Sequence, residues 1–101
     1  MQQLVIAATT AAVVVHQEIN AQSYDAVIIS ADNLAGVEKI DIFMDVNGSW
    51  EIALDNAGVV AKLTATRYQW GLPGGCRYGV LKDATVGACA VTVNVRQEGA
   101  P

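Results

Sequence analysis

Cys76 and Arg77 stand side by side in the stretch WGLPGGCRYG at residues 70–79. A cysteine beside a cation is the sequence form of a reactive thiolate. The glycines ahead of it raise a second chemistry, a loop whose backbone N–H groups cradle a phosphate. Elsewhere, His16 and Asp25 with serines 23, 30 and 49 supply the parts of a hydrolase triad. Asp41, Asp45 and Asn47 bring side-chain oxygens to one turn, as a calcium loop does.

Each of these fails on spacing. The glycine loop lacks the closing Gly-Lys-Ser/Thr and leads into a strand, where phosphate loops need a helix N-terminus. Neighbours in a strand point to opposite faces, so Arg77 does not sit over the Cys76 sulfur, and no base is near in sequence. No serine occupies a G-x-S-x-G elbow, and the full calcium-loop pattern is missing. Cys76 and Cys89, thirteen positions apart, with a lone His16, do not make a four-ligand zinc site. The residues therefore predict no catalytic, cofactor or metal site, two free thiols, and a loop that is a turn. Pro73-Gly74 suits the centre of a type II turn.

The elements that carry these residues read as strands throughout. In VEKIDIFMDV, Ile40, Ile42, Met44 and Val46 alternate with Lys39, Asp41, Phe43 and Asp45. Asn47-Gly48 then fits the two positive-φ positions of a type I′ hairpin. SWEIALD follows, with Trp50, Ile52 and Leu54 assigned to its buried parity. The last strand alternates Cys89, Val91, Val93 and Val95 with Ala88, Ala90, Thr92 and Asn94. Short strands with turn signals between them predict an all-β fold, an antiparallel β-sandwich of about seven or eight strands. An immunoglobulin-like topology is expected, with the jelly roll as the alternative. The chain reads as one domain, residues 1–101, ending in a loose tail of a few residues.

Composition narrows the partners. Apolar residues make up 52% of the chain and charged ones 16%, so part of the apolar surplus has a partner protein to face. A formal net charge of −4, with six scattered cations and no basic stripe, argues against nucleic acid. The N-terminal run MQQLVIAATTAAVVV has no leading Lys or Arg and reads as strand rather than signal peptide; it is too short and too rich in Thr to span a bilayer. Phe43 lies on a charged parity, and Tyr68 and Trp70 share one with Lys62, Thr64 and Thr66. If that parity faces outward, these rings are anchors, and Phe43, Tyr68, Trp70 and Arg77 are the candidate interface.

The succession SADNLAGVEKIDIFM, NGSW, NAGVVAKLTATRYQ and GLPGGCRYGVLKDATVGACAVTV resembles small virion proteins of tailed bacteriophages. Their recurring segments match residues 33–38, 59–66 and 74–85, and the resemblance covers about residues 24–95. Two departures are Gly74-Gly75-Cys76 in place of a Gly-Pro-Gly turn, and Gly79 after the tyrosine. The resemblance implies a non-enzymatic capsid decoration (cement) protein. It would dock on the major capsid protein at the virion surface, be assembled in the bacterial cytoplasm, and self-associate through exposed β edges. The alternative is a carbohydrate- or receptor-binding module of a phage tail, which would need Phe43, Tyr68 and Trp70 on one sheet face.

Overall fold

A computed structural model describes residues 2–55 and 57–97. Of the predicted tail, residues 97–101, Gln97 donates from Nε2 to Ser23 O at 3.0 Å, and all the others lie outside the described residues. These form β1 (Gln2–Thr9), β2 (Val13–Asn20), β3 (Ala26–Ala31), β4 (Lys39–Val46), β5 (Ser49–Ile52), β6 (Lys62–Thr64), β7 (Gln69–Pro73), β8 (Arg77–Lys82) and β9 (Cys89–Arg96). No helix of the described residues is long and apolar enough to cross a membrane. One sheet has the order β1-β9-β3-β7; the other has β2-β8-β4-β5, with β6 pairing the start of β4. We call them sheet A and sheet B. Every pairing is antiparallel.

This order decides between the two topologies. The Asn47-Gly48 turn, with φ of 53° and 85°, closes the β4–β5 hairpin at the centre of one long ribbon. Outward from it, β3 pairs β7, β2 pairs β8 and β1 pairs β9. Rolling that ribbon brings β9 against β3 and β8 against β4. The result is a jelly roll, not the expected immunoglobulin-like arrangement. The described residues hold nine strands rather than seven or eight because two segments that read as continuous each cross between sheets. The N-terminal run divides into β1 and β2, and residues 59–70 divide between β6 in sheet B and β7 in sheet A.

The core lies between the sheets and follows the period-2 alternation of the strands. Cys89, Val91, Val93 and Val95 of β9 face Ile40 and Ile42 of β4 and Tyr78 and Val80 of β8 across it. Burying each such side chain contributes about 1.5–3 kcal/mol. Two sequence expectations about facing are reversed. Trp70 is only 4% exposed and packs inside with Leu72. The crossing at residues 65–68 breaks the alternation that tied Trp70 to Lys62. In β5 the buried side chain is Ala53, just past its end, while Ile52 and Leu54 are 59% and 46% exposed. The two-residue turn pairs Trp50 with Asp45 and Ile52 with Phe43, so all four share the outer face of sheet B.

Several of the sheet edges carry features that oppose pairing. The β1 register with β9 shifts twice, and β2 shifts against β8 between Val13 and Gln17, extruding Val14 and Val15. Edge strand β7 ends in Pro73, which has no N–H to offer. On the far side of sheet B, β5 and β6 are separated by an excursion closed by a Leu54–Val60 bridge. Such bulges and breaks oppose strand addition by a second chain.

Candidate docking surfaces

The glycines of the loop after β7 have spatial reasons. The left-handed residue is Gly75, at φ 86°, rather than Gly74 as a Pro73-Gly74 type II centre requires. Gly74 is glycine because a Cβ there would collide with the Tyr24 carbonyl oxygen and lie 2.5 Å from its carbon. The loop is sewn to residues 21–25 by Gly74 N–H to Asp25 O and Gly75 N–H to Ala21 O, both 2.8 Å. Tyr78, fully buried, crosses the core to donate to Pro73 O at 2.6 Å. Burial above all pushes its phenol well above the usual tyrosine range. Cys76 is half-buried and Cys89 buried, both free, and burial raises the Cys89 thiol away from its reactive form.

The remaining chemical constellations are spoken for structurally. The His16 ring stacks on Trp50 at 5.0 Å and meets Phe43 edge-on at 4.8 Å. Its Nε2 is buried without a hydrogen-bond partner. Asp41 accepts from Lys39 Nζ at 2.7 Å, and Asp45 accepts from the Gly48 N–H and from Arg77. No group of three or more His, Cys, Asp or Glu among the described residues is placed to hold a metal ion.

What the geometry does build is a stapled loop end. The loops after β1, β3 and β8 meet there, together with the connection between β6 and β7. Lys82, at 2% exposure, spends all three ammonium protons across two of them. It donates to Ala11 O at 2.8 Å, Asp83 O at 3.1 Å and Thr85 Oγ1 at 3.1 Å. Thr85 in turn donates to Gly87 O at 2.7 Å. Glu38 accepts from Ala35 N–H at 2.9 Å and from Val86 N–H at 2.7 Å, joining the β3–β4 and β8–β9 loops. Asn33 donates to Ala88 O, and Asp32 accepts from Ala90 N–H. Ala31 N–H donates to Tyr68 O, tying in the fourth connection.

Replacing Lys82 with Met keeps much of the bulk and removes the three hydrogen bonds. We expect a loss of about 2–3 kcal/mol in urea unfolding, the range for hydrogen bonds to a buried charge. Faster amide exchange should appear first at residues 83–88. An unchanged midpoint would show that the ammonium is not the staple.

From this end Val37 and Val86 project at 97% and 89% exposure, on two loops that Glu38 joins, with Tyr68 nearby at 57%. Neither valine contributes to the core. Their loops are held by side chains instead.

A second surface is the outer face of sheet B. Phe43, Trp50 and His16 cover Gly79, where a Cβ would come within 3.1 Å of His16 Cβ and Trp50 Cη2. Ile52 extends this apolar surface opposite Phe43, and exposed Leu54 and Val60 bridge each other beyond the end of β5. Charges flank it in closed sets: Glu18 and Asp45 on Arg77 on one side, Lys39 with Asp41 on the other.

The candidate interface residues are thus divided. Phe43 and Arg77 lie on the outer face of sheet B, Tyr68 lies at the loop end, and Trp70 lies in the core under the Arg67 guanidinium, 3.3 Å from its ring centroid. The single-face aromatic platform that a carbohydrate-binding reading requires of Phe43, Tyr68 and Trp70 does not form. Lys82, Glu38, Trp50 and Ile52 were not singled out by residue type. A signal existed for the last two, since a two-residue turn fixes which residues oppose each other.

No family model matches the chain, and no curated protein matches it in sequence. Among solved structures, the SPBc2 prophage-derived protein YomS matches with a TM-score of 0.70 at 14% sequence identity. The match covers 94% of this chain and 90% of that one. At that identity the likeness is one of fold.

Proposed function

We propose that the chain is a non-enzymatic structural protein of a tailed-phage virion that docks on the major capsid protein as a decoration protein. The observation that carries this reading is the stapled loop end with Val37 and Val86 at its tips. Loops already held in place lose little conformational freedom on binding, so modest apolar contacts suffice. The fold it shares with a prophage-derived protein and the phage-like segments of its sequence point the same way. Residues 33–38 and 82–85, which carry much of that resemblance, are the ones that build the staples.

Sedimentation with empty heads of the phage that encodes the chain tests the reading. Saturable binding is expected. Val37→Lys, at a nearly fully exposed site, should weaken it about tenfold or more while leaving the unfolding midpoint unchanged, since a charge at an interface centre is poorly tolerated. Absence of binding, or binding to host glycans with none to heads, would overturn it.

A further inference from the structure

We infer that Asn47, at the tip of the β4–β5 hairpin, is a site of spontaneous deamidation that the folded protein restrains through the carboxylate of Asp45. The chemistry needs no enzyme and no reactant beyond water. The Gly48 backbone nitrogen attacks the Asn47 side-chain carbonyl. An N–Cγ bond forms, the Cγ–Nδ2 bond breaks, and the proton of the Gly48 nitrogen leaves with the amide as ammonia. Water then opens the cyclic imide at either carbonyl. The product is an aspartyl residue, or an isoaspartyl one whose main chain runs through Cβ and Cγ.

Sequence and exposure place this reaction at Asn47. It is the one asparagine followed by glycine; a side chain on the next residue screens the attacking nitrogen, and Asn33 and Asn94 precede Leu34 and Val95. Both turn residues are exposed, and a Cβ on Gly48 would meet nothing within 4 Å, so water and hydroxide reach the reacting atoms. The type I′ turn wants positive φ at both central positions, here 53° and 85°, which favours the same dipeptide that closes the imide most readily.

The folded turn holds the reactants apart. Ring closure requires the Asn47 backbone to rotate out of its left-handed conformation, which loosens the Val46–Ser49 pair behind it. It also requires the Gly48 N–H, which donates to Asp45 Oδ1 at 2.9 Å. Asp45 is itself anchored: its Oδ2 accepts from Arg77 Nε at 3.1 Å and from Arg77 Nη2, and its side chain is only 14% exposed. Arg77 in turn donates to Glu18 at 3.1 Å, so β2 and β8 together fix the carboxylate on the turn. Arg77 and Asp45 are thus positioning residues for the hairpin tip. An isoaspartyl product lengthens the main chain of a two-residue turn whose register sets the facing of Phe43 and Trp50. Either product adds a carboxylate to the turn that already holds Asp45.

The test does not involve head binding, so it stands or falls apart from the proposed function. Peptide mapping by mass spectrometry follows the aspartyl and isoaspartyl products in the whole chain at mildly alkaline pH. Samples are held in urea and in buffer where unfolding curves show each variant folded. In urea Asn47 should deamidate faster than Asn33 and Asn94. In buffer its rate should fall about tenfold or more, because reaction then waits on local opening of the turn. Asp45→Ala should raise the folded rate about tenfold, the scale of a hydrogen bond to a charged group. Asp45→Asn keeps an accepting oxygen and should stay within about threefold of wild type. Lys82→Met, which weakens the loop end instead, should leave the Asn47 rate unchanged. Equal rates with and without urea overturn the inference, as does an Asn47 that stays intact in urea. So does an unchanged rate in Asp45→Ala, an Asp45→Asn rate as high as that of Asp45→Ala, or an equal acceleration by Lys82→Met.

Discussion

Replacing Trp70 with alanine should destabilise the protein by about 3–5 kcal/mol, the cost of deleting a large buried ring and leaving a cavity. Trp70 is 4% exposed, packs among the apolar side chains between the sheets, and lies under the Arg67 guanidinium. Urea unfolding should show a lowered midpoint. At a temperature where the variant is still folded, its affinity for phage heads should match the wild type, because the ring is not offered to a partner. Unaltered stability with lost binding would instead put Trp70 on the surface.

Gly74→Ala should cost at least about 3 kcal/mol, the upper end for forcing extra atoms into packed structure. Ordinary overpacking is relieved by rotating a side chain. Here the obstacle is backbone: the added methyl group meets the Tyr24 carbonyl, and the segment is fixed by the hydrogen bonds from Gly74 to Asp25 and from Gly75 to Ala21. Relief requires separating the two loops and giving up both bonds. Gly71→Ala is the matched control. Its Cβ would meet nothing within 4 Å, and its backbone is not left-handed, so stability should be nearly unchanged. Equal midpoints for the two variants would show that the close approach is not a constraint.

Much of the architecture was legible in the sequence wherever one strand could be read alone. The alternation in β9 placed Cys89, Val91, Val93 and Val95 inside, and Asn47-Gly48 located the hairpin on which the ribbon is centred. What failed were inferences that carried one strand's facing into the next. Trp70 was tied to Lys62 across a segment that changes sheets, and a parity has no meaning past such a crossing. Apolar alternation alone puts Trp50, Ile52 and Leu54 in the core, although the turn register opposes Trp50 and Ile52 to the outward Asp45 and Phe43.

The loop-end staples were less legible for a different reason. A buried lysine satisfied by Ala11, Asp83 and Thr85 joins residues as much as 71 positions apart, and nothing in the local pattern marks it. Pro73-Gly74 misplaced the left-handed residue because glycine was required there for space and not for φ. WGLPGGCRYG is therefore a structural seam. Its cysteine lies against the Tyr78 hydroxyl, its glycine fits against Tyr24, and its tryptophan fills the core.

The most direct test of the central claim is quantitative mass spectrometry of gradient-purified particles of the encoding phage, with tailless heads analysed in parallel. The account predicts the chain in both preparations, at a fixed ratio to the major capsid protein, and its loss from heads assembled with Val37→Lys. Absence of the chain from purified particles, or its presence only where tails are present, would contradict it.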